Sequence, residues 1–170
     1  MTVNNSWQLA PWADVLYACD EAWWKKYSGV PDFSGLKISH DGYRSPQEWN
    51  LRRIKIIRND DRMHLSSFGV VGWGGNGGFH SLNLAAQFGA KRIVLVGFDM
   101  RLDMGLHWHG KHVSGLQNPT VTNVNRWRRC LDLAAPVLAD AGVEVINASM
   151  QSALSAFPKM RLEEAIDGFA

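Results

Sequence analysis

Residues 72–112 read GWGGNGGFHSLNLAAQFGAKRIVLVGFDMRLDMGLHWHGKH, and the order of signals in this stretch decides the fold. Glycines crowd its first positions. Ser81 to Phe88 then sets Leu82, Ala85 and Ala86 on one helical face, with Gly89 as the stop. Ile93 to Phe98 is a continuous apolar run. A run without polar alternation predicts a strand covered on both faces, as in a parallel sheet. In open α/β sheets, ligands bind just beyond the carboxyl ends of the strands. The segment from Asp99 to His112 is therefore expected to lie where chemistry occurs.

The same alternation extends outward in both directions. Toward the N-terminus, Thr2-Val3-Asn4-Asn5 reads as a strand end followed by a polar loop, and Val15 to Cys19 as a buried strand ending at Asp20. Glu21 to Tyr27 reads as a short helix closed by Ser28-Gly29, and Leu36 to Ser39 as a short strand. Ile54, Ile56 and Ile57 mark another strand, while Tyr43 to Asn50 and Met63 to Val71 carry no clear period. Toward the C-terminus, Val124, Trp127, Leu131, Ala134 and Leu138 recur at helical spacing, with Thr122 or Asn123 as N-cap, Gly142 as stop and Pro136 as a kink. Val143 to Ile146 reads as a strand, and short helices are expected at Gln151 to Phe157 and Leu162 to Ile166. Strands alternating with helices predict an α/β domain, a Rossmann-like three-layer α/β/α arrangement with a mainly parallel sheet, formed by residues 1–170 as one unit.

Composition narrows the class of function. A formal charge of +2, with acidic and basic residues interspersed, gives no electrostatic footprint for nucleic acid. Cys19 and Cys130 stand apart with no CxxC pair, so neither a disulfide framework nor a cysteine zinc site is implied. No stretch has the length needed to span a bilayer, and no basic leader precedes an apolar segment. A reduced, cytoplasmic protein is expected. Of the eight tryptophans, Trp73 and Trp108 fall in polar, glycine-bearing loops and are candidates to line a pocket.

Three groups of residues could carry chemistry. Gly72, Gly74, Gly75, Gly77 and Gly78 surround Trp73 and Asn76 just before a helix, where backbone amides and the helix dipole favour an anion. The spacing matches neither a Walker A loop nor a dinucleotide fingerprint, so a plain packing turn is the competing reading. His107, His109 and His112, beside Asp99, Asp103 and Lys111, can be metal ligands of a hydrolase, one catalytic base with helpers, or structural residues. Asp20 and Asp99 follow strand ends, where carboxylates accept ligand hydroxyls or simply cap turns. Arg101 and Lys111 could neutralise a leaving phosphate.

Taken in order, Asn4 near a strand end, VLYACDEAWW, NGGFHSLNLAAQFGAKRIVLVGFDM, HWHGKH and GVEVINASMQSALSAF resemble the bacterial sialyltransferases of glycosyltransferase family 42. They are equally similar to proteins grouped with motility accessory factors and pterin pyrophosphokinase-like domains, above all the small ones found in bacteriophage genomes. The resemblance covers nearly the full chain. It implies a nucleotide-sugar or nucleotide transferase acting in the cytoplasm of a bacterial host, with a CMP-sugar or other nucleotide donor, an unspecified acceptor and no required metal or cofactor. It assigns Asn4 and the Asp20 region to the nucleotide; the residues' own chemistry adds Asn76, Gly77, Gly78 and Asp99 to the expected nucleotide site and Arg101 and Lys111 to its phosphate. His112, offset by one residue, matches the family's catalytic base, and His107-Trp108 its preceding histidine-aromatic pair.

The chain departs from that pattern in three places. The family's first strand and its G-x-G-P-S loop lie upstream of the residue matching Asn4, where this sequence starts. Gly77 stands in place of a serine, and Met100 and Arg101 stand where the family has phosphate-holding tyrosines. A sheet without that first strand exposes strand edges unless a partner covers them. A homo-oligomer, or a binding and assembly module without catalysis, is therefore the alternative expectation.

Overall fold

The computed structural model describes residues 1–103, 105 and 118–167. The described residues form seven strands and four α-helices, in the order β1 (Thr2–Val3), β2 (Val15–Tyr17), α1 (Glu21–Lys26), β3 (Leu36–His40), β4 (Arg52–Ile57), β5 (Val70–Gly72), α2 (Gly77–Gln87), β6 (Arg92–Leu95), α3 (Val121–Asp140), β7 (Glu144–Asn147) and α4 (Leu162–Asp167). The fold is α/β and Rossmann-like, and every strand pair is parallel. The sheet is not continuous. Strands β1 to β5 pair in sequence order as one curled sheet, and among the described residues β6 pairs with β7 alone, as a second.

Period-two alternation in β2 sorts the core into layers. Leu16 and Ala18 pack on Trp23 and Trp24 of α1, whereas Tyr17 points the opposite way, toward Leu84 of α2, Ile38, Ile54 and Val71. Trp24 is fully buried and its indole N–H donates to the Ala18 carbonyl at 2.9 Å, which removes the cost of burying that polar edge. Lys37 on β3 is buried as well, and its ammonium donates to the Gly29 carbonyl at 2.9 Å in the turn that follows α1. A third cluster lies under α3, where Cys130, Leu131, Ala134 and Leu138 meet Phe79 and Leu82 of α2, Leu95 of β6 and Val145 of β7. Helix α2 thus straddles both sheets. Leu84 serves the first, and Phe79 and Leu82 serve the second.

Several sequence-based expectations shift. The apolar run from Ile93 does not stay in a strand to Phe98; β6 ends at Leu95, and Val96 is 61% exposed. Helix α2 begins four residues earlier than the periodicity suggests, because Asn76 caps it from within the glycine loop. Helix α3 likewise starts earlier, on Thr120, and runs through Pro136 without a break. The short helix expected at Gln151 to Phe157 does not form; that segment is a series of turns. Ser152 in that segment and Ser149 before it hydrogen-bond the backbone beyond β6 instead, Ser152 Oγ donating to the Phe98 carbonyl at 2.5 Å and Ser149 Oγ accepting from the Phe98 amide at 2.9 Å. Among the described residues no helix is long and apolar enough to cross a membrane.

Candidate functional site

The carboxyl ends of the strands meet the glycine-rich loop, as the α/β architecture demands. Asn76 leaves the loop in an extended conformation and its side-chain oxygen accepts from the Phe79 amide at 2.9 Å, so α2 starts with a side-chain cap. Gly74 (φ 47°) and Gly75 (φ 79°) take up left-handed backbone ahead of it. Both are also closely covered. A Cβ on Gly74 would lie 2.1 Å from the Phe79 ring, and one on Gly75 would lie 2.8 Å from Trp127 Nε1 of α3. The loop is therefore a fixed cradle rather than a slack turn.

The two glycines of the first helical turn touch both sheets. A Cβ on Gly77 would meet Val3 of β1 at 3.0 Å, and one on Gly78 would meet the ring of Phe98, just past β6, at 2.9 Å. The ends of β1 and β6 thus flank one helix N-terminus, whose unpaired amides and dipole favour an anion. Two amide side-chain atoms at this place are buried with no hydrogen-bond partner among the described residues: Asn4 Oδ1 and Asn76 Nδ2. Asn4 follows β1 directly and holds φ 48°, a left-handed value that asparagine tolerates better than most residues. One is an acceptor and the other a donor.

Below the loop lies a buried polar chain that the sequence did not disclose. His80 is buried on α2; its Nε2 donates to the Trp73 carbonyl at 2.7 Å, which leaves Nδ1 to accept from the Tyr17 hydroxyl at 2.8 Å. Burial pushes the His80 imidazole down to about 4, so it is neutral near pH 7. Burial also raises the Tyr17 hydroxyl, and it lifts the neighbouring Cys19 thiol to about 11. Cys19 is half-buried and packs against the cluster around Tyr17, Ile38 and Ile54. This chain ties β2 to the carbonyl that opens the glycine loop, with Trp73 in turn lying under the Arg58 guanidinium at 5.1 Å. Only the alternation of β2 hinted at Tyr17 pointing toward α2; nothing local in the sequence pairs it with a histidine 63 positions away.

The remaining candidates are distributed around this centre. Asp20 is exposed at the start of α1, and its side chain does not cap that helix. Asp99 is exposed beyond β6, and its carbonyl accepts from the Ala153 amide at 2.8 Å. Arg101 forms a two-pronged pair with Asp103, Nε to Oδ1 at 2.7 Å, and its Nη1 donates to the Gln151 carbonyl at 3.0 Å. That pairing holds the Asp103 carboxyl at about 2. His107, His109, Lys111 and His112, with Trp108, lie outside the described residues. Among the described residues no three His, Cys, Asp or Glu side chains group as metal ligands would. Two further histidines are held locally: His64 Nε2 lies 3.1 Å from Asp60, and His40 Nδ1 accepts from the Gly42 amide at 2.8 Å.

No family model, no curated protein and no solved structure matches the chain.

Proposed function

We propose that this chain is a nucleotide-binding domain of the transferase type, taking a nucleotide or nucleotide-sugar at the N-terminus of α2. The observation that carries the reading is the pair of unpartnered buried amide atoms, Asn4 Oδ1 and Asn76 Nδ2, beside a capped, glycine-lined helix start beyond parallel strand ends. A buried polar atom without a partner costs about 1–3 kcal/mol, a cost that a ligand group can remove on binding. The helix start suits a phosphate, and the acceptor and donor suit the amino and oxygen edges of a base or ribose. In this reading Asn4, Asn76, Gly77 and Gly78 form the nucleotide cradle. Asp20 and Asp99 are assigned to the nucleotide as carboxylates that follow strands, and Arg101 and Lys111 are assigned to the phosphate by their charge. His112, with His107, supplies the base that deprotonates the acceptor. The motif order shared with the family 42 sialyltransferases makes a CMP-sugar the first donor to try.

Titration calorimetry with cytidine monophosphate, set beside Asn76→Ser, tests the cradle. Serine keeps an oxygen for the cap and removes Nδ2. Saturable binding by the parent chain, weakened about tenfold in the variant at equal thermal stability, is expected from the loss of one hydrogen bond. No saturable binding of cytidine, uridine, adenosine or guanosine nucleotides would sink the proposal. If binding holds, His112→Ala is expected to abolish donor turnover and leave that affinity in place.

A further inference from the structure

The side of α3 turned away from the core carries a pattern that its own fold does not use. Leu131, Ala134 and Leu138 are buried on the inner side, whereas Arg129, Leu133, Pro136 and Asp140 are all exposed on the outer one. These positions follow one another at intervals of four, three and four residues, the narrow seam along which one helix meets another. Leu133 is 65% exposed, and Val137, one turn on, is 40% exposed. Apolar side chains therefore stand in the open between one cation and one anion.

Neither charge is paired within the chain. Arg126, one turn before Arg129's end of the seam, is tied to Asp61, but Arg129 and Asp140 make no ion pair or hydrogen bond among the described residues. Asp140 is also the last residue of α3, where the helix dipole is negative and disfavours a carboxylate. A cation brought to that end from outside would relieve it.

The seam is complementary to itself. When a second α3 lies antiparallel about a two-fold axis that crosses the seam between positions 134 and 135, Arg129 of each helix faces Asp140 of the other and Leu133 faces Pro136. In a parallel pairing Arg129 would face Arg129 and Asp140 would face Asp140, so charge selects the antiparallel one. The connection between Gly105 and Asn118 is too short to cover this seam. Leu102 and Asp103 line one cavity with Val121 and Asn125, so that connection begins and ends at the amino-terminal end of α3. From Val121 to Asp140 is about 28 Å along the helix. The 12 residues of the connection extend to at most about 45 Å, less than the distance out to Asp140 and back.

We infer that the outer side of α3 is the interface of a reversible homodimer, in which two copies pack antiparallel through Arg129, Leu133, Pro136 and Asp140. Two reciprocal Arg129–Asp140 pairs flank its apolar centre. The inference rests on this helix and does not depend on the nucleotide reading.

Sedimentation velocity of the full chain from about 1 to 100 μM, with three charge variants, tests it. The parent is expected to pass from monomer to dimer across that range, as a small interface does. Arg129→Glu and Asp140→Arg each set like charges against one another and are expected to weaken the dimer about tenfold or more. The double variant exchanges the two charges and is expected to return to the parent's affinity. An equimolar mixture of the two single variants is expected to form a heterodimer, because one copy then carries an acidic seam and the other a basic one. Both side chains are exposed and unpaired, so every variant is expected to keep the parent's circular dichroism spectrum. A parent that stays monomeric at about 100 μM would overturn the inference. So would a dimer that withstands both single reversals, or single variants whose association is restored neither by the double exchange nor by mixing.

Discussion

Acid should destabilise this protein at a pH well above the range in which its carboxylates titrate, and His80 sets the size of the effect. In the folded chain burial holds the imidazole down to about 4, against an ordinary value of 6.5. Because the folded pKa is the lower of the two, the unfolded chain takes up a proton first as pH falls. The contribution of neutral His80 is intact above pH 6.5 and is lost progressively down to pH 4. The slope is about 1.4 kcal/mol per pH unit, so the 2.5-unit window is worth about 3 kcal/mol. At this chain length that corresponds to a fall in Tm of roughly 6–12 °C. His40, also lowered by burial, acts in the same direction, while Asp60, held down by hydrogen bonds from Arg62, loses its contribution only at lower pH.

Urea unfolding followed by circular dichroism at constant ionic strength, from pH 7.5 to 4.5, measures the slope. The informative control is His80→Gln, whose amide can serve one end of the Tyr17–Trp73 link but cannot titrate. It is expected to start less stable at pH 7.5 and to lose much less on acidification, with His40 providing the remaining slope. If parent and variant lose stability in parallel between pH 6.5 and 4.5, the reasoning that burial controls His80 is refuted.

Two further substitutions read the packing directly. Gly72→Ala places a Cβ 2.1 Å from the Arg62 carbonyl, a backbone atom that cannot swing aside, whereas Gly89→Ala meets open space and pays only for its φ of 89°. The first is expected to cost more than 3 kcal/mol and the second about 1 kcal/mol in urea unfolding, and equal costs would contradict the placement of Gly72. Leu131→Ala removes a fully buried side chain from the cluster shared by α2, α3 and β7, and is expected to cost about 2–5 kcal/mol, read as a lower urea midpoint at unchanged m-value.

The elements legible in the sequence are those whose signal is local. The β-branched runs at Ile54–Ile57 and Ile93–Leu95 and the helical spacing from Val124 to Leu138 each specify their own conformation, and the structure places strands and a helix there. Boundaries moved where a distant contact decides. The turns of 151–157 win over a helix because Ser149 and Ser152 satisfy the backbone of Phe98, 51 and 54 positions away, whereas the earlier start of α2 is local, an Asn76 cap on the Phe79 amide set among glycines that break the apolar period. The split into two sheets had no local signal at all, since a strand's edge pairing depends on which neighbours are present. The candidate site was legible as a glycine-rich loop before a helix. The Tyr17–His80–Trp73 chain was not, because a histidine on an amphipathic helix looks the same in sequence whether it is solvated or buried against a tyrosine from another strand.

That buried chain also constrains how the glycine loop can behave. The Trp73 carbonyl is held by His80 Nε2, and the Trp73 amide donates to the Asp60 carbonyl at 2.6 Å, so both backbone groups at the loop's entry are fixed before the glycines begin. Beyond them, Phe79 and Trp127 close over Gly74 and Gly75. A ligand at the α2 N-terminus therefore meets amides whose ordering cost is already met by folding, which favours affinity from few contacts. The same arrangement couples the site to acid. Protonation of His80 leaves Nε2 donating to the Trp73 carbonyl but puts a proton on Nδ1, which then cannot accept from the Tyr17 hydroxyl, so the link from the loop to β2 is what acid breaks. In the proposed nucleotide site the folded chain therefore keeps its affinity while stability already declines from pH 6.5, and affinity is expected to weaken only as pH approaches about 4, where the folded imidazole takes up its proton.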